Sequence, residues 1–173
     1  MLMGVVASEK YFGVNAFKFI KDGRVTTLRY RVVPAAGEAH LDAEALKAKS
    51  PTYLFDEIPE RLQSGPIEFK LFAQVAEDGD VTDNATEIWP EEREIVELGT
   101  LKIEDTLSEE ESRVQQKRII FDPIPRIEGV EASDDPLLEV RANVYLTSGQ
   151  QRRSAQGGDA VKGESTEAVK ATT

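Results

Sequence analysis

The sequence predicts an α+β fold in which an antiparallel sheet carries short helices and ends in a C-terminal helix. Three observations lead there. Stretches 14–20, 24–33 and 67–76 alternate apolar and polar residues at the strand period. The first two are joined by Lys21-Asp22-Gly23-Arg24, and Asp-Gly is a strong hairpin signal because both central positions tolerate positive φ. Near the end, Asp134 or Asp135 is a good N-cap, and Pro136 suits a first helical turn, where its missing N–H costs no bond.

Composition bounds what this fold can do. The chain has 173 residues, 40% of them hydrophobic, which suits one globular domain. Lys+Arg 21 against Asp+Glu 32 gives a formal charge of −11, and no basic cluster is long enough to track a phosphate backbone. Nucleic acid is therefore not an expected partner. No apolar run approaches the ~18 residues of a membrane-spanning helix. The opening M-L-M-G-V-V-A-S lacks the charged start and long apolar core of a signal peptide, which favours a cytoplasmic location. Zero cysteines exclude disulfides, zinc-thiolate sites, iron–sulfur clusters and thiol catalysis together. There is no internal repeat.

In chain order, Val14 to Ile20 is expected as a strand and Arg24 to Val33 as its return, with Leu28, Tyr30 and Val32 on one face. Pro34 to His40 reads as a loop. Leu41 to Lys49 and Thr52 to Gln63 are short helical patterns, the second with Pro59 predicting a kink or break. Ile67 to Ala76 is an amphipathic strand. Glu77 to Glu87 is an acidic loop without the frame of a calcium site. Arg93 to Ile103 is a further strand, with Trp89 plugging a core end and Gly99 marking a bulge or close approach. Glu104 to Arg113 is acidic and helix-tolerant and reads as a surface excursion, and Arg118 to Phe121 as a short strand. The last helix should run from about Pro136 to about Ser148, with Gly149 as its stop. A disordered tail is expected over 154–173, where the residues become small, polar and free of aromatics.

The chemistry centres on this last helix. Arg141 and Tyr145 are four apart and project from one face, so their heads can touch. A phenol in water ionises near pH ~10 and is a poor metal ligand until something favours its anion. A guanidinium beside it does so, and a bound ferric ion does so further. The same spacing also suits a plain packing and hydrogen-bonding pair. His40, the only histidine, falls in a loop and reads as a surface residue.

Over Phe121 to Arg152 the residues F-D-P, then G-V-E-x-S-x-D, then R-x-x-x-Y resemble the proximal haem segment of haem catalases. The S-D-D-P-L-L and R-x-x-x-Y-x-x-S phrasing is closest to the small catalase-related peroxidases of that superfamily. A second match is W-P-x-x-x-x-x-V-x-L-G-T-L, from Trp89 to Leu101, which resembles the last strand of the catalase barrel and its approach. The resemblance spans about Tyr11 to Arg153 and corresponds to the second half of a minimal catalase unit.

Several expectations follow from the resemblance. Residues 1–153 form the proximal half of a catalase-like β-barrel, with unpaired sheet edges and an exposed apolar interior face. The cofactor is haem b, an iron protoporphyrin, with Tyr145 as axial iron ligand and Arg141 keeping it ionised. Asp135 holds Arg141 in an ion pair, and Pro123 borders the proximal haem face. Asn15 stands where fuller catalases carry a histidine and supports the site indirectly. Arg152, or else Arg153, meets a haem propionate. The implied function is a haem-dependent catalase-related peroxidase acting on hydrogen peroxide or organic hydroperoxides. The alternatives are a non-peroxidatic haem module resembling allene oxide synthases, or an inactive structural remnant. The distal histidine segment, of R-x-x-H-x-K-G type, is not in this chain. A homo-oligomer or a partner chain would complete the barrel.

Overall fold

The computed structural model describes residues 3, 4 and 6–155. Its centre is a six-stranded antiparallel sheet made of β2 (Tyr11–Phe12), β3 (Phe17–Lys21), β4 (Arg24–Pro34), β6 (Ile67–Val75), β7 (Ile95–Ile103) and β8 (Val130–Ala132). The order is β7-β6-β4-β3-β8, with β2 also paired to β4. The two ends of this path do not meet. A separate two-stranded pair joins β1 (Met3–Gly4) to β5 (His40–Leu41). The helices are α1 (Ala43–Lys47), α2 (Tyr53–Leu62), α3 (Glu109–Gln116) and α4 (Pro136–Ser154).

The expected hairpin forms as β3 and β4. Asp22 and Gly23 adopt φ of 52° and 75°, the paired positive values that a two-residue hairpin needs. The strand nevertheless begins at Phe17 rather than Val14, because the chain over 14–16 is drawn toward α4. There Ala16 accepts a bond from the Ser133 N–H at 3.1 Å. The register gives the sheet two unlike faces. On one, Phe17 and Leu28, Tyr30 and Ala73, and Phe69 and Leu101 are cross-strand partners. The other presents Lys18, Arg29, Gln74, Glu97 and Lys102. The bulge expected at Gly99 is present: Leu71 pairs with Gly99 but Phe72 with Glu97, so Leu98 is left over.

One end of the apolar face is covered. Ala7, in a single 3-10 turn, packs with Ile67 and Phe69, and Val32, Ile58, Leu62 and Ile103 surround them. Of the expected kink or break at Pro59, the break is absent: α2 runs through it. The carbonyl that Pro59 cannot bond belongs to Phe55, which is 82% exposed, so water is free to pair it. His40 lies in β5 instead of ending a loop.

Two further expectations, the strand over 118–121 and the helix stop at Gly149, are corrected. Residues 118–121 are not a strand; β8, ten residues later, closes that side on β3, after the donor-less Pro123 and Pro125. The helix-tolerant acidic stretch does carry a surface helix, α3, started by a Ser108/Glu111 capping box. α4 continues past Gly149 to Ser154. Gly149 is buried in mid-helix because the Ile120 side chain fills the space where a Cβ would stand, 2.2 Å from its Cδ1. The tail expected over 154–173 falls almost wholly on residues 156–173, which lie outside the described residues; Ser154 is the last residue of α4.

The second face of the sheet is anchored by Arg29, which is buried beneath the Trp89 ring, 4.3 Å from its centroid. Its guanidinium donates to the carbonyls of Glu87 at 2.6 Å and Asn84 at 3.0 Å, and Trp89 donates to that of Val81 at 2.7 Å. Burial lowers the Arg29 pKa, against the opposing pull of Asp135 and Asp80. This cluster pins the acidic 77–94 loop. No helix among the described residues is long and apolar enough to cross a membrane.

Candidate functional site

The site is built on the first three turns of α4. Asp135 is the N-cap, accepting from the Leu137 N–H at 2.9 Å through Oδ1. Its neighbour Asp134 is instead exposed and pairs with Lys18 at 2.8 Å. Leu138 is fully buried, and the same helix face then carries Arg141, Tyr145 and Arg152, all half-buried. The i, i+4 spacing thus sets Arg141 and Tyr145 side by side, with the guanidinium carbon 5.6 Å from the phenol ring centroid.

Arg141 and Asp135 do not form the direct ion pair expected of them. Asn15 stands between them. Its Nδ2 donates to Asp135 Oδ2 at 3.0 Å, and its Oδ1 accepts from Arg141 Nη1 at 2.6 Å. The physical reason is that an amide offers a donor and an acceptor at once, so it satisfies a carboxylate on one side and a guanidinium on the other. Both Asn15 and Asp135 are nearly inaccessible, at 3% and 5% exposure, which makes the bridge a buried one. The line Asp135, Asn15, Arg141, Tyr145 joins a strand entry to a helix across 120 positions of sequence.

Tyr145 ends this line. Its ring meets Phe121 edge-on, at 6.3 Å between centroids. Its hydroxyl has no hydrogen-bond partner among the described residues, so the oxygen is available to an external acceptor of electron density such as a metal ion. Pro123 is half-buried two residues after Phe121, in a turn braced by Asp122. That carboxylate accepts from the Ile124 N–H at 2.9 Å and from Arg126 at 2.6 Å, and these bonds hold its pKa below the usual carboxylate range.

Arg152 is engaged inside the chain. It donates to Gln116 O at 3.0 Å, Ile119 O at 2.5 Å and Ser148 Oγ at 2.7 Å, and its guanidinium lies 5.4 Å from the Phe121 ring centroid. It thereby ties α4 to the end of α3 and holds Phe121 against Tyr145. Arg153 is unpaired by any carboxylate among the described residues and borders a shallow cavity of about 380 Å³ with Arg113, Lys117 and Arg118. His40 pairs with Glu9 at 3.0 Å and makes no bond to the Asp135 line. A larger cleft of about 780 Å³ opens beside the start of α4, between Ile124, Ser133, Asp135, Leu138 and Ala142, but Tyr145 does not line it. Among the described residues no group of three or more His, Asp and Glu side chains is placed to hold a metal ion.

Sequence reasoning missed the Phe121 ring contact and the Arg29–Trp89 stack. A periodic pattern carries no signal for either, since both depend on segments distant in sequence.

A family model described as Catalase matches residues 5–159. A catalase-related peroxidase from Mycolicibacterium paratuberculosis is 36% identical over 153 residues, covering 88% of this chain and 48% of that protein. One from Synechococcus elongatus is 34% identical over 147 residues, covering 84% and 43% respectively. The chain therefore spans about half the length of these relatives. In the solved structure of catalase A from Saccharomyces cerevisiae, 86% of this chain superimposes with a TM-score of 0.74 at 19% identity, a likeness of fold that takes in 32% of that chain.

Proposed function

Since the chain belongs to the catalase family, we propose that it forms the haem-ligating part of a catalase-related peroxidase, an oxidoreductase that decomposes hydrogen peroxide or organic hydroperoxides. The observation that carries the reading is the Tyr145 phenol, half-buried, without a hydrogen-bond partner among the described residues, and set between Arg141 and Phe121. That donor fits ferric haem, because a phenolate oxygen is a hard anionic ligand and the adjacent guanidinium favours its charge.

Haem b supplies, when bound, the redox chemistry of peroxide reduction. The roles of this chain's own residues follow from their contacts. Tyr145 would hold the iron through its oxygen. Arg141 keeps a positive charge beside that oxygen, and Asn15 fixes the guanidinium by accepting its Nη1–H. Asp135 orients the Asn15 amide and places a negative charge at the far end of the line, while Phe121 shields one edge of the phenol from water. Pro123 would stand at the border of the same face. Arg152 supports Phe121, and Arg153, which no carboxylate pairs among the described residues, would meet an acidic substituent of the ligand. The proton-handling base that peroxide cleavage requires would come from outside this chain's described residues, because His40 is committed to Glu9.

The test is a visible spectrum of the purified chain with hemin beside Tyr145→Phe. The expected result is a high-spin ferric spectrum with a charge-transfer band toward the red, absent in the variant. The same spectrum from both proteins would overturn the assignment.

A further inference from the structure

The chain carries a formal charge of −11, yet its cations gather at one place. Where α3 ends beside the last turn of α4, the shallow cavity of about 380 Å³ is walled by Arg113, Lys117, Arg118 and Arg153, with Val114 among them and Glu110 as the one acid. Four cations less one carboxylate leave a surplus of three positive charges. The helix period explains the grouping on the α3 side. Positions 113, 114, 117 and 118 stand at i, i+1, i+4 and i+5, so they share one side of the helix and of the turn that follows it.

Cations are ordinary neighbours of the unpaired carbonyls at helix C-termini. That role takes up only part of this set. Lys117 Nζ donates to the Ala155 carbonyl at 3.3 Å. Arg113 lies 3.6 Å from Glu110 and 3.8 Å from Glu109, beyond the ~2.7–2.9 Å of a tight charge-assisted bond. Arg118 and Arg153 have neither an ion pair nor a side-chain hydrogen bond among the described residues. Their guanidinium forks are open to an oxyanion.

We propose that this cavity binds a multivalent phosphate anion, a pyrophosphate group either free or at the end of a nucleotide. A guanidinium presents two parallel N–H bonds to phosphate oxygens, and a lysine adds a mobile point charge. A lone carboxylate would leave most of the surplus charge unmatched, whereas two linked phosphoryl groups bring several negative charges within one small volume. A polynucleotide is the poorer fit, because four cations are too few to hold it against the repulsion of the rest of the chain. The bound anion joins Arg113, Lys117 and Arg118 from the α3 side to Arg153 of α4, and so clamps the junction through which Arg152 supports Phe121. Arg153 is shared with the haem reading, but the other three cations are not, and Arg141, Tyr145 and Phe121 do not line the cavity. The inference does not rest on the role of Tyr145.

The test is isothermal titration calorimetry of the 173-residue chain with inorganic pyrophosphate, at low salt and without divalent metal. The expected result is saturable one-to-one binding that weakens as salt is added, with orthophosphate at least about tenfold weaker. Arg118→Ala should weaken pyrophosphate binding by at least about tenfold. Lys21→Ala, which removes a cation from the β3–β4 hairpin instead, should leave it unchanged. Both residues are exposed, so neither change should unfold the chain. Adenosine diphosphate separates the two sources: tighter binding than pyrophosphate assigns the site to a nucleotide, and weaker binding assigns it to the inorganic anion. The absence of saturable heat would overturn the proposal, as would equal losses from Arg118→Ala and Lys21→Ala. Displacement of pyrophosphate by hemin would overturn it too, by giving these cations to the acidic groups of haem.

Discussion

Replacing Asn15 by Ala removes the one side chain that connects Asp135 to Arg141. Two bonds are lost, one to a carboxylate and one from a guanidinium, at 3.0 and 2.6 Å. Bonds to charged groups contribute about 1.5–3 kcal/mol each, so the pair sets an upper range of about 3–6 kcal/mol. Two features reduce it. Asp135 keeps its cap bond to the Leu137 N–H, and Arg141 is only half-buried, so water recovers part of its solvation. The buried Asp135 Oδ2 recovers nothing unless a water enters the space vacated. A loss of about 2–4 kcal/mol is expected, a large share of the ~5–15 kcal/mol typical of a domain.

The assay is equilibrium urea unfolding followed by far-ultraviolet circular dichroism, with the midpoint expected to fall and the slope to stay constant. A double-mutant cycle with Arg141→Ala adds a sharper test. If Asn15 acts by bridging, the two losses should fall short of additivity by about 1 kcal/mol or more. A single-variant loss under about 0.5 kcal/mol, or strict additivity, would refute the bridging role.

Tyr145→Phe should leave the unfolding midpoint within about 0.5 kcal/mol of the parent, since the hydroxyl has no partner to lose, while abolishing the hemin spectrum. Asp80 accepts from Arg93 at 2.8 and 3.0 Å and from the Glu77 N–H at 2.8 Å, and these bonds hold its pKa below the ordinary value. A folded-state pKa depressed in this way adds stability that is present above the unfolded value of about 4 and lost as pH falls through the folded value. The difference in urea midpoint between the parent and Asp80→Asn should therefore shrink below that pH; a constant difference would count against it. Arg29→Lys should cost about 2–3 kcal/mol, because an ammonium cannot reproduce the planar fork that reaches the Glu87 and Asn84 carbonyls, and limited proteolysis should then cut within 77–94. Gly149→Ala gains about 1 kcal/mol of helix propensity but drives a Cβ to 2.2 Å from Ile120 Cδ1. It should destabilise the parent and stabilise an Ile120→Val background, in which that methyl is gone, as thermal unfolding would show.

What could be read in the sequence was what neighbouring residues decide. The hairpin was legible because Asp22-Gly23 and the flanking alternation are local, and the bulge because Gly99 interrupts a strand that is otherwise β-branched and leucine-rich. The Ser108-x-x-Glu111 capping box is equally local and starts α3 within a stretch whose acidity already reads as helix-tolerant surface. The errors came where a distant contact outweighed a local preference. Gly149 reads as a helix stop until Ile120 is seen to need the space, and 118–121 read as a strand until Arg152 takes up the Ile119 carbonyl.

The functional line divides in the same way. Arg141 and Tyr145 meet because helical periodicity puts them together, so their pairing follows from spacing alone. Asn15 and Asp135 meet only after a strand entry and a helix N-terminus are brought together by β3 pairing with β8. That pairing has a functional consequence. An amide does not titrate in the accessible pH range, so the link from Asp135 to Arg141 keeps one hydrogen-bond pattern where an imidazole would pass through two protonation states. The guanidinium beside Tyr145 is then held by a partner that does not itself titrate. Asn15→His should add a further titration step to the pH profile of hemin affinity between about pH 5 and 8, on top of the rise that deprotonating the Tyr145 phenol gives in both proteins, and matching affinity profiles for the two proteins would show that Asn15 does not govern the orientation of Arg141.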